Sequence, residues 1–172
     1  INLAGAEIDM VGFENREKVL ANSLQSFLAS LEDPIHFVFI DSPPSLGLLT
    51  VNALVAATEV LVPIQCEYYA LEGVTQLMSN IERVRKALNP TLIVGGILLT
   101  MYDNRTNLST EVAAEVRKYF PKETLNATIP RSVRLSEAPS FGQTAISYDP
   151  KNTGSLAYQE AAIELAQRRV IK

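Results

Sequence analysis

Short, unbroken apolar runs alternate along this chain with stretches in which apolar residues recur every three or four positions. That alternation constrains the fold more than any other feature. His36-Phe37-Val38-Phe39-Ile40 reads as a strand buried on both faces. Glu59 to Pro63 and Thr91 to Leu99 read as two more strands, and Leu125 to Ile129 as a weaker fourth. Between them, Leu71, Val74, Leu77, Met78, Ile81, Val84 and Leu88 form a helical stripe, with Glu82, Arg83, Arg85 and Lys86 opposite. Leu108, Val112, Val116 and Tyr119 repeat the pattern up to Pro121. A last helix after Gly154 is expected to bury Leu156, Ile163, Ala166 and Val170, and an earlier one to cover roughly Asn15 to Ser30. Strands alternating with helices of this length predict an α/β fold: a mostly parallel, doubly wound sheet with helices on both faces, in a single domain over residues 1–172.

Ligands of such sheets bind beyond the carboxyl ends of the strands, which directs attention to Asp41, Gln65, Thr100 to Asp103 and Pro130 to Arg134. Composition narrows the chemistry there. One Cys and one His cannot build a zinc site, and no G-x-S-x-G marks a serine nucleophile. The lone Cys66 allows no intrachain disulfide, which fits a reducing, cytoplasmic setting, and it reads as a small core hydrophobe. The apolar run from Leu92 to Met101 is too short for a bilayer, so no membrane span is expected. The net charge of −4 argues against a wholesale nucleic-acid coat. Residues 101–136, however, hold six Lys/Arg against four Asp/Glu, so a local basic face is one reading and solvated helix faces the other.

The sharpest feature is Phe37-Val38-Phe39-Ile40-Asp41-Ser42-Pro43-Pro44. Four apolar residues deliver one carboxylate at a strand end, where it can hold a water of a phosphate-bound Mg²⁺, as in the Walker B arrangement of P-loop NTPases. Pro43 and Pro44 cannot extend a ladder and turn the chain into a loop, well placed to move when a phosphate leaves. From these residues alone, a helix N-cap after a strand is an equal reading of Asp41.

The stretch from Ile40 to Leu54 (IDSPPSLGLLTVNAL) resembles the Walker B and switch segment of ParA/Soj partitioning ATPases. The resemblance continues in Pro63 to Gly73 (PIQCEYYALEG), Leu99 to Leu108 (LTMYDNRTNL), Ile129 to Ser140 (IPRSVRLSEAPS) and the opening Asn2 to Glu7 (NLAGAE), in the family's order. It implies an ATPase that binds Mg·ATP, forms a homodimer, coats DNA without sequence preference at the nucleoid, and works with a ParB-type partner. By the same resemblance, Asp41 is the Mg²⁺-linked catalytic carboxylate and Ser42 to Asn52, with Pro43 and Pro44, the switch. Thr100, Met101, Pro130 and Arg131 are expected in two strand-end loops flanking the adenine. Arg105 and Arg134 match DNA-binding positions, for which the residues alone equally allow ion pairs with Asp103 or Glu137. Glu67 to Gly73, including Tyr68 and Glu72, falls in the region of the dimer face and partner.

A ParA-type enzyme needs a glycine-rich loop with a phosphate-gripping Lys. No G-x-x-x-x-G-K-[ST] occurs among these residues, so both that loop and the family's Asp-rich water-holding loop are expected N-terminal to Ile1, and the 172-residue chain alone is expected to be inactive. Gly95-Gly96 lies inside an apolar strand and reads as close packing. Two alternatives stand beside this: a MinD-like membrane-cycling ATPase, which needs an amphipathic C-terminal helix on lipid that the tail Ala166 to Lys172 does not convincingly supply, and a non-catalytic fragment that binds DNA or a partner.

Overall fold

The computed structural model describes residues 16–42 and 47–170 and sorts the chain into two compact units. One comprises the described residues up to Val60 with Leu77–Ile93, and the other Leu61–Gln76 with Val94 onward. In chain order the elements are α1 (Val19–Ala29, after a 3-10 turn at Arg16–Lys18), α2 (Leu48–Ala56), β1 (Glu59–Gln65), α3 (Ala70–Ala87), β2 (Ile93–Tyr102), α4 (Asn107–Tyr119), β3 (Thr124–Pro130), α5 (Val133–Glu137), α6 (Ala145–Tyr148) and α7 (Thr153–Val170).

Two buried asparagines organise the first unit. Lys18 stands at the N-cap of α1 and offers no side-chain cap. Asn52 takes over, accepting from Leu20 N (3.0 Å) and donating to Arg16 O (2.8 Å) and Leu48 O (3.0 Å). A cap thus arrives from a helix distant in sequence, satisfying one of the orphan donors every helix start leaves. Asn89 does the converse at the end of α2, donating to Leu54 O, Val55 O and Ala57 O while accepting from Thr91 Oγ1.

The second unit is built on a three-stranded sheet of order β1-β2-β3, in which β2 and β3 run parallel. β2 is its buried centre: Gly96, Ile97, Leu98 and Leu99 are all inside. α4 starts at Thr106, whose hydroxyl accepts from Ser109 N, and buries Val112, Ala113 and Val116. α7 lies against β3, with Ala157 and Ala161 packed among Leu98, Leu125 and Ile129. A Cβ on Gly96 would sit 2.5 Å from Leu125 Cδ1, so this glycine is needed for close packing, as the sequence suggested.

β3 is an edge of the described sheet, and α7 closes part of its backbone. Glu164 accepts from Asn126 N (2.9 Å), Asn126 Nδ2 (3.2 Å) and Ala127 N (3.0 Å). Arg168 donates to the carbonyls of Lys122, Glu123 and Thr124 and to Glu164 Oε1 (2.8 Å). Burial pushes the Glu164 carboxyl up, but the two backbone amides and Arg168 outweigh it and hold it below the usual range.

Several expectations need correction. Residues 34–40 form no strand among the described residues, and Phe39 is 83 % exposed. Apolarity selects burial only where neighbouring backbones supply a ladder, and no described ladder includes this run. β1 is buried on one face only, through Val62 and Ile64. On α7, Leu156 and Ile163 point outward, and the buried stripe is Gly154, Ala157 and Ala161. The helix approaches β3 closely, which admits small residues and turns the large ones out. Tyr119 is likewise exposed, whereas the α3 stripe faces inward, with Val74, Ile81 and Val84 buried and Leu71, Leu77, Met78 and Leu88 partly so. Helices α2, α5 and α6 were not anticipated, and the expected helix start at Asn15 lies outside the described residues.

Replacing Glu164 by Ala strands two edge amides and Arg168 together. In the full-length protein it is expected to lower unfolding stability by about 2–3 kcal/mol, read from urea denaturation. A change within error would show that water replaces the carboxylate at no cost.

Candidate functional site

The carboxyl ends of β1, β2 and β3 gather most of the residues singled out from the sequence. Thr100 Oγ1 donates to Ile64 O (3.1 Å), and Cys66 N donates to Thr100 O (2.9 Å), which fixes the end of β1 to β2. Ser109 Oγ donates to Cys66 O (3.2 Å), and Arg131 N donates to Tyr102 O (3.0 Å), carrying the alignment on to β3. Thr100, Met101 and Pro130 therefore lie in the last turns of the strands and not in loops; only Arg131 stands beyond its strand. β2 runs three residues further than its apolar run because Tyr102 still pairs with Pro130.

Met101 has φ of +52°, the only positive value on a described non-glycine residue. The β2–β3 register slips between Leu99 and Tyr102, so Met101 sits in a bulge. A non-glycine residue in this left-handed region costs roughly 1–3 kcal/mol and persists only where its surroundings impose it. Nothing in the sequence announces it, since methionine is not a turn-former. Beside it, Cys66 is buried, and desolvation pushes its thiol up, with a smaller opposing pull from Arg117, which suits a packing residue.

Around this rim the charges are paired. Arg105 grips Asp103 with two parallel bonds, Nε to Oδ1 (2.9 Å) and Nη2 to Oδ2 (2.8 Å), and its own amide donates to Oδ1 (3.1 Å). Those side-chain and backbone bonds lower the Asp103 carboxyl to about 2, with a further pull from the charges of Arg105 and Arg131. Arg131 Nη2 meets Glu67 Oε1 at 2.8 Å, joining the residue after β3 to the loop after β1. Arg134 Nη1 donates to Glu137 Oε2 (3.2 Å) and Tyr148 OH (3.4 Å), its Nε lies 3.8 Å from Asp149 Oδ2, and its guanidinium lies over the Tyr148 ring at 5.8 Å. Tyr148 in turn stacks on Phe141 at 5.2 Å. Of the two readings of Arg105 and Arg134, the ion pairs are thus formed. Tyr148, Phe141 and Asp149 were missed by sequence reasoning; the one signal for their placement is Thr144, which caps α6 by accepting from Ser147 N.

Tyr68 and Tyr69 form an exposed edge-to-face pair beside Glu67, and Glu72 and Gly73 are exposed on the first turn of α3. Asp41 belongs to the first unit, where it and Ser42 are exposed. Pro43 and Pro44, with Ser45 and Leu46, lie outside the described residues. The rest of the expected switch is helix from Leu48 on, pinned by Asn52. No group of three metal-ligating side chains occurs among the described residues. A single exposed carboxylate such as Asp41 still suits Mg²⁺, which binds through one or two carboxylates and keeps its waters. No helix among the described residues is long and apolar enough to cross a membrane.

A family model described as an AAA domain matches residues 1–94. The chromosome partitioning protein ParA of Myxococcus xanthus is 49 % identical over 97 % of this chain and 58 % of its own length. The chromosome-partitioning ATPase Soj of Treponema pallidum is 46 % identical over 98 % of this chain and 65 % of its own. The chain thus spans about three-fifths of the length of the curated relatives it matches. A Mycobacterium smegmatis cobyrinic acid a,c-diamide synthase, solved with bound ADP and magnesium, superposes with a TM-score of 0.72 at 36 % identity, covering 96 % of this chain and 58 % of that one. The cell division ATPase MinD of Pyrococcus furiosus superposes at 0.69 with 23 % identity over 88 % of this chain and 58 % of its own, which shows a common fold.

The Asp103 pairing makes a pH prediction. Its folded carboxyl titrates below its ordinary value, so whatever it contributes is present above that value and is lost as pH falls toward about 2. A carboxyl-carbon NMR titration should place its midpoint near 2, and Arg105→Ala should move it up toward 3.8. An unmoved midpoint would assign the shift to the turn backbone instead.

Proposed function

The chain belongs to the AAA-domain family matched over residues 1–94 and, within it, to the ParA/Soj chromosome-partitioning ATPases, and from that membership we propose that the full-length protein is an ATP-driven DNA-partitioning ATPase. The observation that carries the reading is identity close to one half, sustained over almost the entire chain, to proteins named for that role. In this reading the protein binds Mg·ATP, pairs with a second copy, coats DNA without sequence preference at the nucleoid, and leaves it after hydrolysis stimulated by a ParB-type partner. The 172 residues are read as part of one ATPase domain; they contain no G-x-x-x-x-G-K-[ST], so hydrolysis is assigned to the full-length protein and not to this stretch alone.

Each residue then has a task. Mg²⁺, when bound with the triphosphate, neutralises charge that develops on the phosphates. Asp41 holds a water of that ion, and Ser42 to Asn52 respond to loss of the terminal phosphate. The helical half of that segment ends on Asn52, which also caps α1, so a shift of α2 is felt there. Thr100, Met101, Pro130 and Arg131 flank the adenine, where the imposed backbone of Met101 and the bond from Arg131 N to Tyr102 O give a rigid wall. Glu67 to Gly73, with its exposed tyrosines, faces a second copy or the partner. Nucleotide and magnesium in the related synthase structure support the cofactor part of this reading. A MinD-like membrane cycle is less favoured, because the likeness to MinD speaks for the fold alone.

Two measurements test it. Asp41→Ala in the full-length protein is expected to reduce phosphate release from ATP to background; ordinary turnover would remove Asp41 from its role. Arg105→Glu with Arg134→Glu should weaken duplex DNA binding and flatten its salt dependence by about one unit of slope for each phosphate no longer neutralised, with ATP binding intact. Unchanged affinity and slope would place the DNA surface elsewhere.

A further inference from the structure

The arginines assigned to DNA meet phosphate with their charges already spoken for. Arg105 is held bidentately by Asp103, and Arg134 lies between Glu137 and Asp149. With Arg131 on Glu67, three arginines of this rim face four carboxylates. The basic excess of residues 101–136 is therefore cancelled by acids that lie partly outside that window, Glu67, Glu137 and Asp149. Beyond a Debye length such a surface offers a polyanion little attraction.

At close range the situation differs. A guanidinium fork fits phosphate oxygens as it fits carboxylate oxygens, so a phosphate can take the place of the carboxylate bond for bond. Exposed ion pairs are weak enough to be exchanged in this way. The Arg105 pair is also asymmetric. The Arg105 side chain is 85 % exposed and that of Asp103 16 %, and the Asp103 carboxylate is fixed in its turn by the amide of Arg105. The arginine can swing to a phosphate while the acid stays behind, close to the incoming charge. At Arg134, the Tyr148 ring keeps the guanidinium in place, and Tyr148 OH donates to Glu137 Oε2 (3.3 Å), so that carboxylate too has a second anchor.

We propose that Asp103 and Glu137 are built-in competitors of phosphate, which occupy Arg105 and Arg134 until a polyanion displaces them and so set the affinity and salt dependence of DNA binding. The proposal rests on the DNA reading of these two arginines. It makes an opposite prediction from the view that the acids merely orient them. Neutralising an orienting acid weakens binding, whereas neutralising a competitor tightens it.

The test is fluorescence anisotropy of a labelled, sequence-neutral duplex with the full-length protein and Mg·ATP, over a salt series. Asp103→Asn keeps an acceptor for the amide of Arg105, and Glu137→Gln keeps bonds to both Arg134 and Tyr148; Asp149→Asn replaces the latter if it lowers the melting temperature. Each variant is expected to bind roughly three- to tenfold tighter at low salt, with a steeper salt slope and a gain that shrinks as salt rises. A variant that binds no tighter than the parent overturns the competitor role of that acid. Arg105→Glu with Arg134→Glu is the control. If it leaves DNA binding intact, the DNA reading itself is wrong; if it weakens binding while neither neutral variant tightens it, only the competitor role falls.

Discussion

Backbone groups left over at the ends of helices and the edge of a sheet must find partners, and here side chains from distant parts of the sequence provide them. Asn52 closes the start of α1, Asn89 the end of α2, and the Glu164–Arg168 pair the outer side of β3. Each of these groups is polar and at least half-buried, and each would be costly to bury unpaired. Their placement fixes how the helices meet their neighbours within each unit: α2 against α1, and α7 along β3.

What the sequence makes legible follows from the same point. The α3 stripe and the strand at Glu59 could be read because one period of apolar residues meets one buried face, and the strand at Ile93 because an unbroken apolar run fills a strand buried on both faces. α7 misled because its inner face is Gly154, Ala157, Ala161, Glu164 and Arg168, small residues for closeness and charged ones for the edge of β3. Hydropathy ranks that face below Leu156 and Ile163, which point away. The run His36 to Ile40 misled for a different reason, since a strand is a property of a pair, and the partner is not encoded in the run itself.

At the rim the same division holds. The residue types there, an Asp after an apolar run and arginines after strand ends, were visible in sequence, and the family resemblance gave them roles. The bulge at Met101 and the Phe141–Tyr148–Arg134 stack were not, because each depends on register or on an angle between short helices. The pairing of every rim arginine with an acid changes the meaning of the local basic excess: composition counts charges, whereas a ligand meets them in the arrangement the fold leaves them.

The stack also gives the molecule an optical handle. The sequence contains no tryptophan, so its aromatic absorption and emission come chiefly from six tyrosines. Tyr148, its ring against Phe141 and its hydroxyl shared between Arg134 and Glu137, is in a setting unlike that of the exposed Tyr68 and Tyr69. Rearrangement around Arg134 would perturb that one chromophore directly, and the rim could be followed spectroscopically without attaching a dye.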